Sequence, residues 1–151
     1  MDVFSKKKRS EIMSKVRGKD TAPEIKVRKS LFALGFRYRL NVRKIPGKPD
    51  IVLRKYEALI FVHGCFWHGH HCRIGNLPVS NSAYWQRKME RNRARDKMNL
   101  KRLRMMGWRV LTVWECALAG KGRLPSDLLS RKLNTWIVGS RQVGNIQGLK
   151  N

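Results

Sequence analysis

The chain has 151 residues, enough for one domain that buries ~68–70% of its extended surface. Its 42% hydrophobic content excludes a disordered chain, and its longest apolar run is too short to cross a bilayer. The net charge of +24 indicates a polyanionic partner, and nucleic acid is favoured over an acidic membrane because no amphipathic basic helix stands out. Three cysteines and no signal peptide predict metal binding or free thiols in a cytoplasmic protein.

The charge and turn patterns divide the chain into a basic N-terminal arm over residues 1–19, one predicted domain over 20–138 and a C-terminal tail without a readable pattern over 139–151. The arm is either a solvated tail or a segment that orders on DNA. The sequence Asp20-Thr21-Ala22-Pro23-Glu24 predicts a helix start, because Asp or Thr can cap a helix and Pro suits its first turn. That helix should end at Gly35.

Alternating and continuous apolar runs predict the elements that follow. They are a strand over 36–42, a hairpin of strands over 50–53 and 57–63, an arginine-rich helix over 83–106, a strand over 108–115 and a helix over 125–138. The second hairpin strand is almost entirely apolar, so it should be central in its sheet. This order predicts an α/β domain with one mixed sheet flanked by helices.

The segment HGCFWHGHHC over residues 63–72 contains all four histidines and two of the three cysteines. Zinc prefers four thiolate or imidazole ligands in a structural site. Cys116 ends the last predicted strand and can complete such a site if that strand neighbours the one before the loop; otherwise it is an ordinary buried cysteine. The predicted zinc ligands are Cys65, His70, Cys72 and Cys116, although the spacing leaves His68 and His71 within reach. Four protein ligands leave no open position, so this zinc would be structural.

Asp50, at the start of an apolar strand, is either a turn residue or a ligand for Mg²⁺, which binds one or two carboxylates. The neighbouring strand would bring the carbonyl of Val62 and the imidazole of His63 beside it. Glu24 and Asp96 supply further carboxylates, and His68 could take a proton from an attacking water. Together these residues predict magnesium-assisted phosphodiester hydrolysis.

The adjacent aromatics Phe66 and Trp67 are either core residues or a wedge that enters a stack of DNA bases. On the arginine-rich helix, one face carries Trp85, Lys88, Asn92 and Asp96. Trp85 could join the wedge.

These motifs, with PGKPD over 46–50 and VWECAL over 113–118, closely resemble the very-short-patch-repair (Vsr) DNA mismatch endonucleases over roughly residues 8–138. The resemblance implies a restriction-endonuclease-like PD…(D/E)xK core with a structural zinc loop. It also implies a Mg²⁺-dependent enzyme that nicks DNA 5′ of the T in T:G mismatches left by 5-methylcytosine deamination, which initiates very short patch repair. Where the (D/E)xK triplet should fall, the chain has Phe61-Val62-His63, a departure that the Vsr family shares.

The resemblance also implies a role for each candidate residue. Asp50 and the Val62 carbonyl would bind Mg²⁺, His68 would be the general base, and Glu24, His63 and Asp96 would hold waters around the ion. Zinc is assigned to Cys65, His70, Cys72 and Cys116. Phe66, Trp67 and Trp85 match the intercalating aromatics, Met13 matches a wedge from the opposite groove, and Lys88 and Asn92 match positions near the mismatch.

We therefore expect a monomer that acts on double-stranded DNA in the bacterial cytoplasm at the nucleoid, with mismatch-repair proteins as candidate partners. One alternative is a zinc-stabilised DNA-binding module without catalysis. A second is a zinc hydrolase or base deaminase, but the H-x-E and P-C-x-x-C motifs of the deaminases are missing from the sequence.

Overall fold

The computed structural model describes residues 20–150, so the predicted N-terminal arm and Met13 lie outside the described residues. The elements in chain order are α1 (Ala22–Ala33), β1 (Arg39–Leu40), β2 (Ile51–Leu53), β3 (Ala58–His63), α2 (Ser82–Met105), β4 (Arg109–Trp114), α3 (Ser126–Val138) and β5 (Val143–Ile146), with short 3-10 turns at Arg54–Tyr56 and Glu115–Ala117. The chain thus has the predicted mixed α/β architecture. Within residues 20–150, no helix is both long and apolar enough to cross a membrane.

The five strands form one mixed sheet in the order β1-β2-β3-β4-β5. The predicted hairpin is confirmed, since β2 and β3 pair antiparallel with Ile51 opposite Ile60. Strand β3 also pairs with β4, in parallel, and α2 makes the crossover between them. The apolar strand β3 is therefore central, as its composition predicted, and the carboxyl ends of β3 and β4 meet at one edge of the sheet.

The two faces of the sheet bury different helices, because alternate strand residues point to opposite sides. Ile60 and Leu111 belong to the core shared with α1 and α3. Phe61 and Val110 belong to a smaller core with Leu103 of α2. Helix α2 buries few side chains, which explains how it tolerates so many arginines.

Two strands differ from the sequence-based expectation. The strand predicted over residues 36–42 is reduced to β1, because Phe36 packs into the core and Asn41 adopts a left-handed conformation with φ of 55°. Strand β5 was not predicted, because its sequence VGNI contains Gly and Asn, which are depleted in strands. It forms by pairing in parallel with the edge of β4.

Helix α1 begins where its capping sequence predicts. Thr21 is the N-cap, and its hydroxyl accepts a hydrogen bond from the Glu24 N–H at 3.4 Å. The Glu24 carboxylate in turn accepts one from the Asp20 N–H at 2.9 Å. The second hydrogen bond fixes the Glu24 side chain, which is only 5% exposed, at the start of the helix.

Candidate active site and metal cluster

Three thiols and one imidazole meet where β3 and β4 end. Ligand atoms of Cys65, His70, Cys72 and Cys116 all lie within 4.8 Å of one another. Cys65 follows β3 and Cys116 follows β4, so the parallel pairing of these strands brings the two sulfurs together. The Cys116 N–H donates a hydrogen bond to the Cys65 sulfur at 3.3 Å. The structure therefore brings together the four residues that the sequence nominated.

The chemistry of this cluster suits a soft divalent cation. Burial raises the pKa of the Cys65 and Cys116 thiols, so without a cation these sulfurs would stay protonated. A metal stabilises thiolates, and backbone N–H groups directed at sulfur, such as that of Cys116, stabilise them further. His71 is exposed, and His68 belongs to a different cluster, so the histidine of this set is His70.

Asp50 lies beside the central strand at the same end of the sheet. Its N–H donates to the Ile60 carbonyl at 3.1 Å, and its carboxylate accepts a hydrogen bond from the Val62 N–H at 2.6 Å. Burial raises the pKa of Asp50 to about 6, against the lowering effect of the Val62 hydrogen bond, and the negative charge of Glu24 raises it further. Asp50 is thus a partly desolvated carboxylate whose charge is destabilised, which is the condition in which a cation is bound most favourably.

Glu24 is held near Asp50 by a basic residue that the sequence did not single out. Arg28, one helical turn after Glu24, contacts the Glu24 carboxylate at 3.2 Å and that of Asp20 at 2.8 Å. The Arg28 charge also acts on Asp50, whose pKa it lowers. Its position four residues after Glu24 is a helical ion-pair spacing that the sequence contained.

His63 and His68 form the second cluster with Asp96. The two imidazoles stack with centroids 3.6 Å apart and planes 2° apart. His68 Nδ1 lies 2.6 Å from the Asp96 carboxylate. Burial, followed by the charge of His68, lowers the pKa of His63 to about 3, so His63 is neutral at physiological pH. Asp96 lies on α2, so the His68–Asp96 contact connects the loop after β3 to the long helix.

The pairing defines what His68 can do. A carboxylate on Nδ1 keeps the proton there and leaves Nε2 as the basic nitrogen, an arrangement that suits a general base. Asp96 therefore contacts His68 directly. A cavity of about 770 Å³ opens onto His63, His68 and Asp96, and basic side chains of α2 line its wall.

Trp114 connects the two clusters and was not identified from the sequence. It is the cross-strand neighbour of His63, and its ring contacts that of His63 edge-on at 5.4 Å. On its other side it stacks on His70 at 4.1 Å, with planes 13° apart. The one available signal was its position at the end of a buried strand, two residues before Cys116.

The loop aromatics form a cluster with α2 outside both hydrophobic cores. Phe66 lies 5.1 Å from Trp67 and 5.2 Å from Trp85, between ring centroids. The Lys88 ammonium lies 5.4 Å from the Trp67 ring centroid, and Asn92 donates a hydrogen bond to the Trp67 carbonyl at 2.7 Å. The predicted DNA-contact residues of the described chain therefore lie together, next to the metal cluster.

Arg93 is a further residue that links α2 to this loop. Its Nε donates to the Gly69 carbonyl at 3.1 Å. Gly69 has φ of 62°, and a Cβ added there would lie 2.4 Å from the same nitrogen. Glycine thus lets the guanidinium approach the backbone between His68 and His70.

Comparison with known proteins identifies the family. The model of the family described as DNA mismatch endonuclease Vsr matches residues 1–74. The DNA mismatch endonuclease Vsr of Escherichia coli is 41% identical over 138 residues, which cover 91% of this chain and 88% of the relative. Type II nicking enzyme V.NmeAIP of Neisseria meningitidis is 49% identical over 120 residues, with coverage of 80% and 86%. Type II nicking enzyme V.XorIIP of Xanthomonas oryzae is 48% identical over 127 residues, with coverage of 84% and 93%. The chain therefore belongs to the Vsr family of DNA mismatch endonucleases.

Proposed function

We propose that this protein is a Mg²⁺-dependent endonuclease that nicks double-stranded DNA 5′ of the T in T:G mismatches left by deamination of 5-methylcytosine, and so initiates very short patch repair. The proposal is carried by the position of Asp50, which hydrogen-bonds to Val62 at the end of β3 and lies close enough to the His68–Asp96 pair for the charge of His68 to act on it. The family membership and the excess of basic residues support DNA as the substrate.

The metal-binding part of the proposal concerns Asp50 and the carbonyl of Val62. Mg²⁺ prefers oxygen ligands, and Asp50 offers a partly desolvated carboxylate whose pKa is raised by burial. Bound there, Mg²⁺ would polarise the scissile phosphate and offset its developing negative charge. Glu24, held by Arg28, and neutral His63 would orient waters around the site.

The proton-transfer part concerns His68. Its Nε2 would take the proton of the attacking water while Asp96 holds the ring and stabilises the imidazolium that forms. The proposed core is of the PD…(D/E)xK type, with Pro49-Asp50 immediately before β2 and Phe61-Val62-His63 replacing the triplet in β3.

Zinc is the proposed ion of the Cys65, His70, Cys72 and Cys116 cluster, because three sulfurs and one imidazole match its preferred ligands. The closed four-ligand set gives this ion a structural role. It would fix the loop that carries His68 and the aromatics.

Recognition would use the aromatic cluster. Phe66, Trp67 and Trp85 are proposed to enter the base stack, with Met13 of the arm acting from the opposite groove. Lys88 and Asn92, which contact Trp67, would lie near the mismatch. We further propose that the protein acts as a monomer at the bacterial nucleoid, with residues 1–19 as a DNA-binding arm and 20–138 as the endonuclease domain.

The test is cleavage of end-labelled duplexes that differ only in one pair: T:G, T:A or C:G. With Mg²⁺, the wild type should cut only the T:G duplex, on the T strand and 5′ of the T. Asp50→Asn should bind the duplex without cutting it, and Asp127→Asn, at an exposed position on α3, should cut like the wild type. Binding without cutting by the wild type would favour the non-catalytic module, and cutting of all three duplexes would contradict mismatch specificity.

A further inference from the structure

The C-terminal segment after α3 reaches the metal cluster. Strand β5 pairs in parallel with β4, with Thr112 opposite Asn145 and Val113 opposite Ile146. Gln147 follows the last of these pairs directly, close to where β4 ends and the turn that contains Cys116 begins. The segment that lacked a sequence pattern therefore lies against two of the proposed zinc ligands.

Two contacts connect the segment to those ligands. The Gln147 side-chain oxygen lies 3.0 Å from His70 Nε2, and the Gly148 N–H donates to the Cys116 sulfur at 3.3 Å. The next residue anchors the segment, since the Leu149 N–H donates to the Gly122 carbonyl at 2.7 Å.

The Gln147 contact selects one tautomer of His70. An amide oxygen only accepts hydrogen bonds, so the proton of the neutral imidazole lies on Nε2. The Nδ1 lone pair is then available to a metal, and Nδ1 is the atom that faces the cluster, 3.7 Å from the Cys116 sulfur. A partner on the second ring nitrogen is how proteins commonly orient a histidine ligand.

Only glycine at position 148 lets the backbone come this close to Cys116. A Cβ at position 148 would lie 2.2 Å from the Cys116 carbonyl oxygen and 2.7 Å from that of Gly122. Both are backbone atoms, so neither can move aside cheaply. Any side chain would therefore lift the segment away from the sulfur.

We propose that Gln147 and Gly148 form a clasp that positions His70 and Cys116 and slows the loss of the metal. The inference rests on the zinc site of the proposed function and extends it: Gln147 and Gly148 are positioning residues that act through the ligands. Gln147 is exposed, so its replacement should leave the fold intact.

The experiment measures zinc release from the full-length protein into a chromophoric chelator, after metal analysis of the purified protein. Gln147→Ala and Gly148→Ala should release zinc roughly 10–100-fold faster than the wild type. Gln147→Glu, which keeps an acceptor for Nε2–H, should restore slow release. Gln142→Ala is the matched control, because Gln142 precedes the same strand and contacts Arg104 and Ser140 instead.

A second readout is the visible absorption spectrum of the Co²⁺-substituted protein. Gln147→Ala should shift its ligand-field bands, and Gln147→Glu and Gln142→Ala should not. A wild type that binds no zinc would overturn the zinc site and the clasp together. A wild type with one tightly held zinc and a Gln147→Ala variant with unchanged release and spectrum would overturn the clasp alone. Because Gln147 is exposed, the comparison of the wild type with Gln147→Ala tests the clasp even if Gly148→Ala does not fold.

Discussion

Neutralising Asp50 should stabilise the Mg²⁺-free protein while it abolishes cleavage. Burial raises the pKa of Asp50 from 3.8 to about 6, so the folded state holds this proton more tightly than the unfolded chain does. For a carboxyl group with a raised pKa, the free energy of unfolding falls as the pH rises from about 4 to about 6. Above that range this loss of stability, the penalty of the buried charge, stays constant. Asp50→Asn keeps an acceptor for the Val62 N–H but carries no charge, so it should escape this penalty.

The magnitude follows from the two pKa values. At ~1.4 kcal/mol per pH unit, the difference between a pKa of 3.8 and one of about 6 means that ionised Asp50 lowers the free energy of unfolding by about 3 kcal/mol at pH 8. At pH 5 the destabilisation is only about 1.5 kcal/mol, because Asp50 is still largely protonated in the folded protein. Asp50→Asn should therefore gain stability relative to the wild type by about 1.5 kcal/mol between pH 5 and pH 8.

Urea denaturation followed by circular dichroism measures this difference, in buffer that contains one equivalent of zinc and no other divalent cation. Asp127→Asn serves as the control, because its side chain is 81% exposed and should show a pH-independent change below ~0.5 kcal/mol. Added Mg²⁺ should stabilise the wild type and not Asp50→Asn, since ligand binding to the folded state raises its stability. A stability difference that stays constant from pH 5 to pH 8, or an Asp50→Asn variant less stable than the wild type at pH 8, would refute this electrostatic account.

Three further predictions test other parts of the site. Asp96→Asn should lower kcat by roughly 10²-fold or more in single-turnover nicking, because His68 loses its orienting carboxylate. The affinity for DNA should change little. An unchanged kcat would exclude the His68–Asp96 pair from proton transfer. Trp67→Ala should weaken binding to a T:G duplex by ~1–3 kcal/mol in a titration. The free energy of unfolding measured with urea should change little, since Trp67 lies outside both cores. Equal losses of binding and stability would make Trp67 a structural residue. Cys116→Ser should abolish stoichiometric zinc binding in metal analysis and lower the Tm, and a variant that retains one tightly bound zinc would remove Cys116 from the ligand set.

The parts of the molecule that local patterns define were predictable from the sequence. The hairpin of β2 and β3 follows from two apolar runs around a short turn, and the start of α1 follows from its capping residues. The juxtaposition of Cys65 and Cys116 required one topological assumption, that β3 and β4 are parallel neighbours. A long helix between two apolar strands made that assumption reasonable, because such crossovers connect parallel strands.

The remaining features depend on tertiary contacts that no local pattern carries. Strand β5 has weak intrinsic propensity and forms because the edge of β4 is available to it. Arg109 is another example: a strand arginine would ordinarily be exposed, yet its guanidinium is buried and donates to the carbonyls of Trp136 and Ile137 at the end of α3. The contact between His68 and Asp96 likewise depends on how α2 lies across the sheet, which helical periodicity alone does not determine.

The two clusters are not independent, because the same short loop carries the proposed ligand of one and the proposed base of the other. Gly69 alone separates His68, which pairs with Asp96, from His70, which faces the sulfurs. Trp114 fills the space between them, stacked on His70 and in edge contact with His68 at 6.4 Å. A loop released from the sulfur cluster would keep its hydrogen bonds to α2 but would lose the anchors at Cys65 and His70, which lie on either side of His68. With the roles proposed above, occupation of the metal cluster would contribute to catalysis through the position of His68, without any part in the chemistry.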